Sequence, residues 1–103
     1  MTDYSMPMKF DPLIHQQSRL AIMAVLSGCE SADFTFLANA TGLNKGTLSK
    51  HLTKLQEAGY ILIEKTFKGN YPLTMAKLTQ YGRSAFKDYR RQFKAFNQAI
   101  DNT

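Results

Sequence analysis

Apolar residues along the chain fall into stretches of distinct period, broken by glycine or by small polar residues. The first stretch follows Asp11 and Pro12, a capping residue and a first-turn proline. It predicts a helix running to about Ser27 and stopping near Gly28. Its second half, Leu20 to Leu26, is apolar nearly all round and needs cover on more than one side, a second subunit being one such cover. Asp33-Phe34-Thr35-Phe36 alternates briefly, as a short strand leading into a helix would. That second helix begins at Thr35 or Phe36, runs to about Thr41 and ends at Gly42. Asn44 caps a third helix from about Lys45 to Ala58, which Gly59 stops. On it Leu48, Leu52 and Leu55 recur at helical spacing and form an inward stripe that packs with Leu37 and Leu43. Tyr60 to Phe67 is rich in β-formers, and Lys68-Gly69-Asn70 is a turn. Tyr71 to Lys77 is a returning strand, with Pro72 near its exposed tip.

Thr79 caps a last helix running to about Ile100. Along it Phe86, Tyr89, Phe93, Phe96 and Ile100 alternate at spacings of three and four, a seam sustained for about two heptads. A helix this long overhangs a small helical body, and aromatics left in water form a patch that demands a partner. The expected partner is a second copy of the chain, with Leu20 and Met23 of the first helix completing the interface.

These elements make one α+β domain, mainly α. Residues 1–10 are a flexible arm, 11–78 a helix-turn-helix followed by a two-stranded wing, and 79–103 a long C-terminal dimerisation helix of the same domain.

The outward side of the third helix carries Gly46, Thr47, Lys50, Thr53, Lys54 and Glu57. It is small and basic near its amino end, the end that meets base edges when such a helix enters the major groove of DNA. Lys50 and Lys54 suit phosphate or guanine, while Thr47 and Ser49 donate to either. Gly46 lets the backbone approach closely, and the open N–H groups of the first turn favour a phosphate. Glu57, at the far end, is expected to pair with Lys54 or Thr53. On the wing, Lys65 and Lys68 flank an aromatic tip and reach toward the adjacent minor groove or backbone. The alternatives are an ordinary solvated helix face and a hairpin that only closes the helical layer.

Charge sharpens this picture. The net charge is +5, and eleven of the 13 basic residues lie between Asn44 and Lys94 together with only three acids. Positive charge concentrated in the later half is what a phosphate-binding surface requires. Cys29 is the one cysteine, so no intramolecular disulfide forms, in keeping with a cytoplasmic protein. Met1 to Phe10 does not read as a signal peptide, and the longest apolar run is too short to span a bilayer. There is no glycine-rich phosphate loop, no zinc-ligand spacing and no nucleophile with a base, so neither enzyme chemistry nor a cofactor or metal is expected. His51, on the flank of the third helix, reads as a packed, hydrogen-bonding histidine. His15 reads as a surface or interface residue.

The run Leu43-Asn44-Lys45-Gly46-Thr47-Leu48-Ser49-Lys50-His51-Leu52, the segment Lys54 to Ile61 and then Leu78-Thr79-Gln80-Tyr81-Gly82-Arg83 resemble the winged-helix regulators related to the MarR and ArsR groups. The resemblance covers about Leu13 to Phe96. It implies a homodimer that binds double-stranded DNA and regulates transcription, with the third helix as recognition helix and the hairpin as wing. Carried over by position, the implied contacts are Asn44, Lys45, Thr47, Ser49, Lys50, Lys54 and, on the wing, Lys68. The chain lacks the paired cysteines of metal-sensing members and the extra length of the larger MarR-type proteins. Two other readings stay open from sequence: a winged helix used for protein contact, and a regulator with an effector at the dimer interface.

Overall fold

Side-chain caps fix where the helices begin. In the computed structural model, which describes residues 9–102, α1 spans Gln17–Ser27, β1 Ala32–Asp33, α2 Phe34–Thr41 and α3 Lys45–Glu57. The hairpin strands are β2, Ile61–Lys68, and β3, Tyr71–Leu78, and α4 spans Gln80–Asp101. Asp33, Asn44 and Thr79 each turn a side-chain oxygen onto a backbone N–H of the following helix, satisfying donors that have no intrahelical partner. The short strand is Ala32–Asp33 rather than the stretch from Asp33 to Phe36, because Asp33 is already the cap of α2.

The first helix departs from the sequence expectation. Asp11 does cap a turn, its Oδ1 accepting from the Leu13 N–H at 2.8 Å and its carbonyl from the His15 N–H. That turn ends at Gln16, whose extended backbone and side chain start α1 afresh by accepting from the Arg19 N–H. Ile14, within this separate turn, is fully buried in the core. Of the expected arm, only Lys9 and Phe10 fall among the described residues. Phe10 is docked rather than loose: its ring stacks on His15 at 4.6 Å and lies within 6.2 Å of the Tyr89, Phe93 and Phe96 rings.

The three strands form one antiparallel sheet in the order β1-β3-β2. Lys68 pairs with Tyr71, so the hairpin closes through the two residues Gly69-Asn70. Strand β1 pairs with β3 only at Ala76 and Met75, which leaves the outer edge of β3 open at Pro72, where a missing N–H breaks no pairing on that side.

The core lies where the helices meet the base of this sheet. Ile22, Met23 and Leu26 of α1, Leu37 of α2, and Leu48, Leu52 and Leu55 of α3 are buried together with Ile61, Ala76 and Leu78. Truncating any of the α3 leucines to alanine costs roughly 2–5 kcal/mol. The apolar half of α1 is thus covered mainly by its own chain.

One joint ties α4 to the rest. The Thr79 N–H and hydroxyl donate to the carbonyls of Tyr60 and Gly59, and the same hydroxyl accepts from the Gly82 N–H. Gly82 lies against this carbonyl: a Cβ there would sit 2.0 Å from the Tyr60 oxygen, so no other residue fits without moving backbone. The Tyr60 hydroxyl in turn donates to Asp11 Oδ2. Burial and that carboxylate push the Tyr60 phenol well above the usual tyrosine range.

Candidate nucleic-acid interface

Helices α2 and α3 are joined by the three residues Gly42-Leu43-Asn44. Gly42 closes α2 in the left-handed region at φ +73°, its N–H donating to the Ala38 carbonyl. Leu43 turns inward onto the core, and Asn44 starts α3. With Leu48, Leu52 and Leu55 fixed inward, helical geometry presents the residues on the opposite side of α3 outward.

Those residues are the ones the sequence singled out. Lys45, Gly46, Ser49, Lys50 and Lys54 are exposed, and Thr47 is half-buried. Asn44 uses its Oδ1 to cap the Thr47 N–H at 2.8 Å, which leaves its amide NH2 for an outside acceptor. The ion pairs among the described residues are Lys77–Glu64 and Arg91–Asp88, so none of these lysines is neutralised within the chain. Glu57 makes neither expected contact, and the Thr53 hydroxyl donates instead to the Ser49 carbonyl. Gly46 has no internal reason to be glycine, since an added Cβ would meet nothing nearer than Asn44 Oδ1 at 3.7 Å.

His51 sits where α3 leans on α1. Its Nδ1 accepts from Arg19 Nη1 at 3.1 Å, and Arg19 also donates through Nε to the Leu13 carbonyl. Partial burial, then the charges of Arg19, Lys50 and Lys54, hold its imidazole below the usual histidine range. Arg19 is a residue sequence reasoning missed; a lone arginine on a helix gives no signal that it braces another helix 32 residues away.

The wing brings its own lysines to the same side unevenly. Cross-strand partners share a sheet face, so Ile61–Leu78, Ile63–Ala76, Lys65–Thr74 and Phe67–Pro72 lie on the core face. Lys65 and Thr74 line a groove with Ser49, Thr53 and Gln56 of α3. Lys68 and Tyr71 lie on the opposite face.

The residues expected at a dimer interface divide along α4. Met23 is 0 % exposed and is enclosed by its own chain, which removes it from any partner surface. Phe86 and Tyr89 are 7 % and 3 % exposed and line, with Leu20 and Phe93, a groove of about 470 Å³. Farther along, Phe93 is 41 % exposed, Ile100 is also exposed and Phe96 is half-buried. His15 accepts or donates through Nδ1 to the Tyr89 hydroxyl at 2.8 Å. Cys29 is a half-buried free thiol. Among the described residues, no three His, Cys, Asp or Glu side chains are grouped to hold a metal ion, and no helix is long and apolar enough to cross a membrane.

A helix-turn-helix with a basic outward third helix, followed by a hairpin, defines the winged-helix class of DNA-binding fold. Residues 18–97 match the model of the winged helix DNA-binding domain family, and the chain belongs to that family. It is 38% identical over 83 residues to an uncharacterised protein of Methanocaldococcus jannaschii, covering 81% of this chain and 90% of that one. Its fold is similar to that of a transcriptional regulator homologue protein from Pyrococcus horikoshii OT3, with a TM-score of 0.85 and 25% identity over 92% of this chain and 93% of the other. A MarR-family transcriptional regulator from Silicibacter pomeroyi shares the fold at a TM-score of 0.63 and 21% identity, over 87% of this chain and 57% of that larger one. The chain is therefore a winged helix DNA-binding domain protein, and its fold is one that transcriptional regulators, a MarR-family member among them, also adopt.

Proposed function

We propose that this chain is a cytoplasmic regulator of transcription that binds double-stranded DNA sequence-specifically as a homodimer. The observation that carries this reading is the outward face of α3: from Asn44 to Lys54 it is exposed apart from the half-buried Thr47, basic, without an acidic residue and without internal ion pairs. Lys45, Lys50 and Lys54 meet phosphates or guanine, Thr47 and Ser49 donate to bases or phosphates, and Gly46 admits close approach of the sugar-phosphate chain. Lys65 and Lys68 add phosphate contacts from the wing. The exposed stretch of α4 around Phe93, with the groove beside Leu20, pairs with its two-fold mate. Two recognition helices then address half-sites roughly 34–36 Å apart.

Selection of bound duplexes from a random pool tests the reading, and a palindromic winner is expected. On that duplex Lys50→Ala and Lys68→Ala each weaken binding and lower the slope of log affinity against log salt by about one. Both variants melt with the wild type. Enrichment of no duplex overturns the function, and a monomer at micromolar concentration in sedimentation overturns the dimer.

A further inference from the structure

The wing tip carries more apolar surface than the fold uses. The last pair of the hairpin that touches the core is Ile63–Ala76. Four residues on, at about 3.3 Å each, Phe67 stands about 13 Å farther out. It is 71 % exposed, with Pro72 opposite it and Tyr71, 78 % exposed, beside it on the other face. From Lys65 to Lys77 the wing has no acidic residue. Lys65 shares the face of Phe67, and Lys68 points to the other face.

An apolar pair set between two lysines matches one polyanion surface in particular. The minor groove of duplex DNA has apolar deoxyribose walls and anionic phosphate rims, and at about 6 Å wide it admits the edge of a ring but no helix. The geometry points to Phe67 as an apolar insertion into the minor groove that flanks the site of α3. Phe67, backed by Pro72, packs between the sugar walls. Lys65 and Lys68, on opposite faces of the ribbon, meet the phosphates of the two strands that border the groove. A guanine amino group in the groove floor obstructs the ring, so the wing selects A·T pairs beside the major-groove site. This rests on the DNA-binding reading above and adds to it a second, apolar determinant of sequence.

The test uses the full chain and a duplex selected from a random pool. Phe67→Ala lowers affinity about tenfold, the scale of losing one buried aromatic contact. It leaves the salt slope unchanged because phenylalanine carries no charge, whereas Lys65→Ala lowers the slope by about one. Replacing flanking adenines by 2,6-diaminopurine, which adds an amino group to the minor groove, weakens the wild type and leaves Phe67→Ala unaffected. The variant melts with the wild type, since the ring lies outside the core. Equal affinity of the two proteins, or an equal diaminopurine penalty in both, overturns the inference while the DNA-binding reading stands. Failure of the wild type to enrich any duplex overturns both.

Discussion

Around Tyr60 the chain employs nearly every polar group it has, and along the outward face of α3 it employs almost none. At the joint, the carbonyls of Gly59 and Tyr60, the Thr79 hydroxyl, the Gly82 N–H and both oxygens of Asp11 are all engaged. On α3, Lys45, Lys50 and Lys54 stand exposed, without an ion pair. Residues of the first kind are explained by folding. Residues of the second kind contribute little to stability and repel one another, and the proposed contact with DNA is what gives them a role. The contrast gives a working rule for this molecule: substitutions at the joint register in stability, and substitutions on the outward face register in binding.

The sharpest break of the joint is Gly82→Ala. The new Cβ would lie 2.0 Å from the Tyr60 carbonyl oxygen, which the Thr79 N–H holds in place at 3.0 Å. Neither backbone can retreat without undoing the start of α4, and a loss of about 3 kcal/mol is expected in urea unfolding. DNA affinity then falls only with the folded fraction. A variant as stable as the wild type would show that the joint yields, and with it that α4 is less firmly seated than its hydrogen bonds imply.

Gly46→Ala works in the opposite direction. Nothing in the chain needs the space at Gly46, so alanine removes backbone freedom from the unfolded state and raises stability by roughly 0.5–1 kcal/mol. On the proposed contact, affinity for the selected duplex falls, because the methyl group would stand where the sugar-phosphate chain comes closest. A more stable variant with undiminished affinity would place Gly46 away from the contact.

Much of this division is legible in the sequence, and the failures have physical causes. The leucine stripe of α3 and the caps Asn44 and Thr79 follow from local rules, and the structure keeps them because their demands are met within one turn. Asp11 follows the same rule and misleads: its second carboxylate oxygen is claimed by Tyr60, 49 residues on, and the chain breaks at Gln16, whose side chain caps α1 afresh. The aromatic seam of α4 is a true stripe, but periodicity shows only which residues share a side. Where cover by the chain's own core ends, between Tyr89 and Phe93, depends on how far the body extends. The faces of the wing were hidden for a related reason. Register depends on a two-residue turn, and a three-residue turn leaves open which lysine faces α3.

His51 stands on the border between the two regions, and its titration affects both in opposite senses. In the fold its Nδ1 is an acceptor for Arg19, so the neutral ring is the one that fits. Its folded pKa lies below the ordinary value of 6.5, through burial first and then the charges of Arg19, Lys50 and Lys54. As pH falls through about 6.5, the unfolded imidazole takes up its proton before the folded one. The unfolded state then binds more protons, so the contribution of His51 to stability is complete above that pH and declines below it, until the folded ring titrates too. The effect is the smallest of the three. It is isolated by comparing wild type with His51→Gln, whose amide oxygen still accepts from Arg19. Between pH 7.5 and pH 5.5 the urea midpoint of the wild type should fall further than that of the variant. If DNA binds as proposed, phosphates near Lys50 and Lys54 favour the charged ring and reverse the preference, so wild-type affinity should gain more on acidification than the variant's. Stability and affinity that shifted in the same direction would place His51 wholly within the interior and out of reach of the polyanion.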